Sequence, residues 1–300
     1  MRSVPGPAAP LVVSLSLVTA LGACSAEQND GPSGDLGTTT SLVSSSTPTG
    51  SDVGGQSGQP GRVPVGESDP QPARGAVEIV DAFAHDPGLF TQGLQVHDGQ
   101  IYESTGRYGS SEVQRRPLRE VDPTVRVEMA PDEFGEGLAV TPDTLWTLTW
   151  REGIAHNRDP RTLEVRSQVP YEGEGWGLCF NGAQLVMSDG SDELTFRDPV
   201  TFEPTDTVSV TAGGTPVSQL NELECADGTV LANVWMTDEI VRIDPSTGAV
   251  TAIYDASELE QPRPDDPDAV LNGIAALPDS DTVLLTGKLW SQMYEVRLVE

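Results

Sequence analysis

Apolar residues in the last three quarters of the chain come in short runs, broken by turn dipeptides, and the same phrase returns five times. It reads QGLQVHDGQIYESTG from Gln92, EGLAVTPDTLWTLTW from Glu136, WGLCFNGAQLVMSDG from Trp176, NELECADGTVLANVW from Asn221 and NGIAALPDSDTVLLTGK from Asn272. Each copy is a strand, a turn on Asp-Gly, Asn-Gly or Pro-Asp, and a second strand, which is the grammar of a hairpin. A second turn recurs as Asp159-Pro160-Arg161-Thr162, Asp198-Pro199-Val200-Thr201 and Asp244-Pro245-Ser246-Thr247. There Asp opens a type I turn and Pro fixes the next φ, so a third and a fourth strand flank it.

The copies start 44, 40, 45 and 51 residues apart, the length of a four-stranded blade, and none has helical spacing. The expected fold is therefore all-β, a five-bladed β-propeller. Gly75 to Ala84 is a strand without a hairpin partner, whereas the last copy ends at Tyr294 to Leu298, a third strand without a fourth. The two deficits cancel if the first strand closes the ring as the outermost strand of the last blade. Segments 211–215 and 261–268 are expected as loops, the second long, acidic and solvated rather than a cover for a site.

Composition changes the picture at the N-terminus. Residues 1–24 carry Arg2, the apolar run Leu11 to Leu21 and then Leu21-Gly22-Ala23-Cys24, a pattern that resembles a bacterial lipobox. The run is short for a membrane span, so export with lipidation of Cys24 is expected, and attachment to the membrane only through that lipid. Residues 25–74 are Ser, Thr, Gly, Pro, Asp and Gln with almost no large apolar side chain, a composition that cannot offset the entropy of ordering and reads as a tether. Residues 75–300 are left for the propeller. A net charge of −29 argues against a surface that tracks phosphates, so nucleic acid is excluded as a partner.

In a propeller the first strand of each blade lines the axis, so Gln92, Glu136, Trp176, Asn221 and Asn272 ring one mouth of the tunnel. The second strands end nearby with Trp150, Trp235 and Lys288 in matching places. Of the 17 Lys and Arg residues Lys288 alone is lysine, which singles it out where a compact point charge is needed. The set offers no Ser, Cys or His nucleophile. A Glu among indoles has its ionised form disfavoured and its pKa raised, which suits a proton shuttle; the plainer reading is polar groups that hydrate a tunnel.

Eight motifs in order, Phe90-Thr91-Gln92-Gly93-Leu94, Tyr102-Glu103-Ser104-Thr105-Gly106, Phe134-Gly135-Glu136-Gly137-Leu138, Leu148-Thr149-Trp150, Gly175-Trp176-Gly177-Leu178, Asn221-Glu222-Leu223-Glu224, Ala232-Asn233-Val234-Trp235 and Leu285 to Trp290, resemble the plant and bacterial glutaminyl-peptide cyclotransferases. The resemblance spans residues 76–298. It implies conversion of the N-terminal glutamine of peptides or proteins to pyroglutamate, with release of ammonia. It implies Glu136 as proton shuttle, Asn221 and Lys288 as its polar partners, Trp150, Trp176 and Trp235 as aromatic walls, and Phe90 with Gln92 as further substrate contacts. A propeller that only binds a peptide or glycan, and a metal-dependent lactonase-like hydrolase, are the alternatives.

His85, His97 and His156 lie apart in the repeat and form no zinc pattern, unlike the unrelated animal glutaminyl cyclases. No cofactor is expected; the fold could hold a structural calcium, although no acidic loop indicates one. Cys179 and Cys225 occupy one repeat position in neighbouring blades, as a disulfide or as two buried thiols. Trp146 and Trp290, with Leu145, Val186, Leu231, Ile240 and Leu284, are expected in the core. A monomer is expected.

Overall fold

The computed structural model describes residues 70–259 and 266–300. The expected leader, Cys24 and nearly all of the tether lie outside these residues. Among the described residues every regular element is a strand. β1 (Ala73–Ala84) precedes a first blade of β2 (Thr91–His97), β3 (Gln100–Thr105), β4 (Glu112–Pro117) and β5 (Val125–Glu128). The second holds β6 (Gly135–Val140), β7 (Leu145–Thr149), β8 (Ile154–Arg158) and β9 (Val165–Pro170), and the third β10 (Leu178–Phe180), β11 (Leu185–Ser188), β12 (Glu193–Arg197) and β13 (Pro204–Ser209). A small hairpin of β14 (Thr211–Ala212) and β15 (Thr215–Pro216) follows where plain loop was expected. The fourth blade is β16 (Leu220–Ala226), β17 (Thr229–Val234), β18 (Glu239–Ile243) and β19 (Val250–Asp255); the fifth begins with β20 (Leu271–Ala276), β21 (Thr282–Gly287) and β22 (Gln292–Val299).

The fifth blade takes its outer strand from the start of the domain, as the pattern required. β1 pairs antiparallel with β22 from Ala76 opposite Val299 to Ala84 opposite Gln292. Its first residues, Ala73 to Ala76, also pair in parallel with Ala252 to Asp255 of β19, which the sequence did not foretell. The fourth and fifth blades are thereby fused into one eight-stranded sheet.

The Gly of the recurring Gln-Gly-Leu, Glu-Gly-Leu and Trp-Gly-Leu phrases exists because innermost strands of successive blades touch. A Cβ on Gly137 would stand 2.6 Å from both Leu178 N and Trp176 O, and the Gly137 N–H donates to Trp176 O at 2.7 Å. The fourth blade breaks the rule with Glu222. Its buried carboxyl crosses the axis and accepts from the Leu94 N–H at 3.2 Å and the Ile274 N–H at 2.7 Å, tying the fourth blade to the first and fifth. Burial raises its pKa well above the usual carboxyl range, against the pull of these two donors.

The Asp-Pro turns form as their sequence dictates. Asp159 Oδ1 accepts from Arg161 N and Thr162 N, and Asp198 Oδ1 from Val200 N and Thr201 N. Four residues after each Asp the backbone is left-handed, at Leu163, Phe202 and, in the fourth blade, Gly248. The two non-glycine cases are held in place because Arg158 donates to Leu163 O and Arg197 to Phe202 O.

Apolar side chains fill the spaces between blades. Trp146, fully buried, stacks at 4.9 Å on Phe202 of the next blade, and its N–H donates to Pro199 O. Trp290 and the five aliphatic residues expected in the core are all buried; burying each such side chain is worth about 1.5–3 kcal/mol. Cys179 on β10 and Cys225 on β16 form a disulfide with a Cα–Cα distance of 5.4 Å, joining the third and fourth blades.

Candidate active site

At the mouth where innermost strands begin and second strands end lies a cavity of about 420 Å³. Its lining includes Phe90, Gln92, Glu136, Trp150, Trp176, Asn221, Trp235 and Lys288, so all eight residues expected there come together. Arg107, Phe134 and Asp268 complete it. Asn272, the fifth ring position, sits beneath instead: its amide donates to Thr91 O at 3.0 Å and to Gln92 Oε1 at 3.3 Å.

One backbone contact repeated from blade to blade explains the convergence. The N–H of Trp150 donates to Phe134 O, that of Trp235 to Gln219 O, that of Lys288 to Val270 O and that of Gly106 to Phe90 O. In each case the end of a second strand is clamped to the residue two before the ring position, and at Trp150, Trp235 and Lys288 the side chain is delivered over the mouth. The first blade has Gly106 at this place because the Phe134 ring occupies the space, 2.2 Å from where a Cβ would be. Gly190 of the third blade yields in the same way to Trp176. Gly106 was the signal that could have added Phe134 to the expected set.

Glu136 is only 4% exposed and accepts one side-chain hydrogen bond, from Gln92 Nε2 at 3.0 Å. Asn272 holds the other end of that amide, so the Gln92 NH2 is turned toward the carboxyl. Burial pushes the Glu136 pKa well above the usual range; Lys288 opposes the shift, while Glu174 and Glu152 add to it. Lys288 is 5% exposed, with its Nζ 4.9 Å from the Phe90 ring centre. Burial lowers its pKa, and Glu136 and Asp268 counter the fall. A buried carboxyl that readily keeps a proton thus shares an apolar cavity with a buried ammonium and the amides of Gln92 and Asn221.

The walls are rings set at steep angles to one another. Trp176 and Trp235 stand 5.6 Å apart at 86°, Phe134 and Trp150 5.4 Å apart at 58°, and Phe90 meets Phe134 at 88°. The loop expected to be merely solvated contributes where it is described. Asp268 lines the cavity, and Asp266 pairs with Arg107, whose guanidinium lies 4.5 Å over Phe90. That reading is corrected for these two residues: Asp266 reaches Arg107 of the first blade, a proximity that ring closure creates, and Asp268 acts on Lys288 of the fifth blade, into which the loop leads.

Fold and site together define a five-bladed propeller with a buried carboxyl and a buried ammonium in an aromatic cavity at one mouth of its axis. Residues 59–298 match the family model for glutamine cyclotransferase, and the chain belongs to that family. It is 37% identical over 230 residues to the glutaminyl-peptide cyclotransferase of Arabidopsis thaliana, covering 74% of this chain and 71% of that protein. The crystal structure of Myxococcus xanthus glutaminyl cyclase superposes with a TM-score of 0.72 at 39% identity, covering 76% of this chain and 99% of that one.

Proposed function

We propose that the protein is a glutaminyl-peptide cyclotransferase acting on peptides or proteins that begin with glutamine. The observation that carries the mechanism is Glu136: buried at the cavity floor, aligned by Gln92 and disposed to take up and release a proton. The substrate supplies both reactive groups. Its α-amine attacks its own γ-carboxamide carbon, a C–N bond closes the five-membered ring, and the C–N bond to the amide nitrogen breaks to release ammonia. No water or co-reactant enters the balance, so the chain's residues need only fold the side chain back and move protons.

The indoles of Trp150, Trp176 and Trp235, with Phe90, enclose the folded-back side chain and exclude water. Glu136 takes a proton from the attacking amine and delivers it to the departing nitrogen, while Asn221 or Lys288 donates to the carbonyl oxygen as negative charge develops there. The reaction as balanced calls on no cofactor. The test is ammonia release, with matching loss of its mass, from a short Gln-initiated peptide in the presence of a strong chelator. Turnover is expected; a folded protein inactive with and without added calcium or zinc would overturn the assignment and favour a propeller that only binds. Export and anchoring through a lipid on Cys24 belong to the same proposal, since a tether would let the site meet exported chains. Cys24→Ser should move the protein from the membrane fraction to the soluble one, and an unchanged distribution would refute the anchor.

A further inference from the structure

Glu174 lies between β9 and β10, two residues before the ring position Trp176, where the other blades carry Phe90, Phe134, Gln219 and Val270, and its hydrogen bonds reach two walls of the cavity. Its Oε2 accepts from Trp150 Nε1 at 2.8 Å and from Trp176 Nε1 at 3.1 Å; its Oε1 accepts from Arg151 Nε at 2.9 Å. The Arg151 guanidinium in turn lies 3.7 Å over the Trp150 ring. An indole has one donor and no acceptor. Two indoles from different blades whose donors meet on one oxygen have their ring orientations set together. We propose that Glu174 is a positioning residue of this site, fixing Trp150 and Trp176 as a paired wall.

The same placement has an electrostatic consequence. Burial alone would raise the Glu174 pKa, but the Trp176, Arg151 and Trp150 donors outweigh it, so the carboxylate stays ionised. The groups acting on Glu136 are Lys288, Glu174 and Glu152, with the Gln92 amide in direct contact. Of the two acidic neighbours, Glu174 is the stronger and the one held by the walls. One side chain therefore couples the shape of the cavity to the proton affinity of its floor. This inference rests on the cyclotransferase reading only for its kinetic consequence.

Two variants of the full-length chain separate the roles. Glu174→Ala removes the acceptor, and Glu174→Gln keeps an acceptor oxygen but removes the charge. In 15N-labelled protein, Glu174→Ala should shift the Nε1–H resonances of Trp150 and Trp176 together. It should also raise KM for a Gln-initiated peptide on the order of tenfold, with a smaller change in kcat. Glu174→Gln should hold KM near the wild-type value, yet move the Glu136 titration, read by carboxyl 13C shifts, to lower pH. The sign follows because a lost negative neighbour makes ionisation easier; the acid limb of kcat/KM should move with it. Unmoved indole resonances in Glu174→Ala would overturn the proposal. Should Glu174→Ala fail to fold, the two indole resonances are read in Glu174→Gln, whose weaker neutral acceptor should shift both; if neither moves the proposal is overturned. Wild-type inactivity would count against the functional reading, whereas the resonance measurements judge Glu174 regardless.

Discussion

Glu103 and Glu136 are both buried carboxyls, on second and first strands of adjoining blades, and they titrate in opposite directions. Around Glu103 the chain has built a complete shell. Thr91 Oγ1 donates at 2.7 Å, Arg116 Nη1 at 2.6 Å and Gln114 Nε2 at 3.3 Å, and His85 Nε2 stands at 3.0 Å. Burial would raise the Glu103 pKa, but Arg116 and His85 overcome it and hold the carboxylate far below the usual range. Glu136 has a single amide donor, and its one cationic neighbour acts without an ion pair, so burial wins. Burial alone therefore does not say what a carboxyl is for. A satisfied carboxylate is a strut; one left short of partners beside a cavity is available to move protons.

The largest way to break this contrast is to take the charge from the strut. Glu103→Gln leaves the Arg116 guanidinium buried without its counter-charge, and should cost about 3–5 kcal/mol of stability in denaturant titration. A loss near zero would mean the shell holds nothing up. A smaller effect appears with pH. The folded pKa of Glu103 lies below 4.5, so the folded state binds fewer protons than the unfolded one between those values. Its contribution is full above about pH 4.5 and is lost as pH falls below that. Glu136 has the reverse sign: its folded pKa lies above 4.5, so stability declines as pH rises past 4.5. Glu136→Gln should therefore melt slightly higher than wild type near neutral pH, the gap closing in acid. An equal or lower Tm at neutral pH would show that Glu136 carries no burial penalty.

Much of this could be read from residues alone, and the reasons are local. Blade number followed from five copies of one strand-turn-strand phrase at the spacing of a four-stranded blade, and four of the five ring positions are followed by a Gly that packing of inner strands demands, as at Gly137 and Gly177. Ring closure followed from an unpaired strand at each end. The cavity residues were legible because a repeat converts sequence position into spatial position, so Trp150, Trp235 and Lys288 could be placed by equivalence. What escaped depends on contacts that only folding makes. Glu174 occupies the repeat place two before Trp176, held elsewhere by Phe90, Phe134, Gln219 and Val270, but its importance comes from two indoles that meet only after folding. Asp266 and Arg107 pair across blades far apart in sequence. Glu222 did carry a signal, an acid at the place where other blades have glycine, and so did Glu103, a charge inside an apolar strand.

The most direct test of the central claim is ammonia release by Glu136→Gln under single-turnover conditions, with folding checked by Tm and circular dichroism. The variant keeps the shape of the side chain and removes its ability to carry the proton. Ammonia release should fall by a factor on the order of 10²–10⁴ while the fold is retained. Release near the wild-type rate from the folded variant would contradict the account, and the proton carrier would have to be sought elsewhere in the cavity.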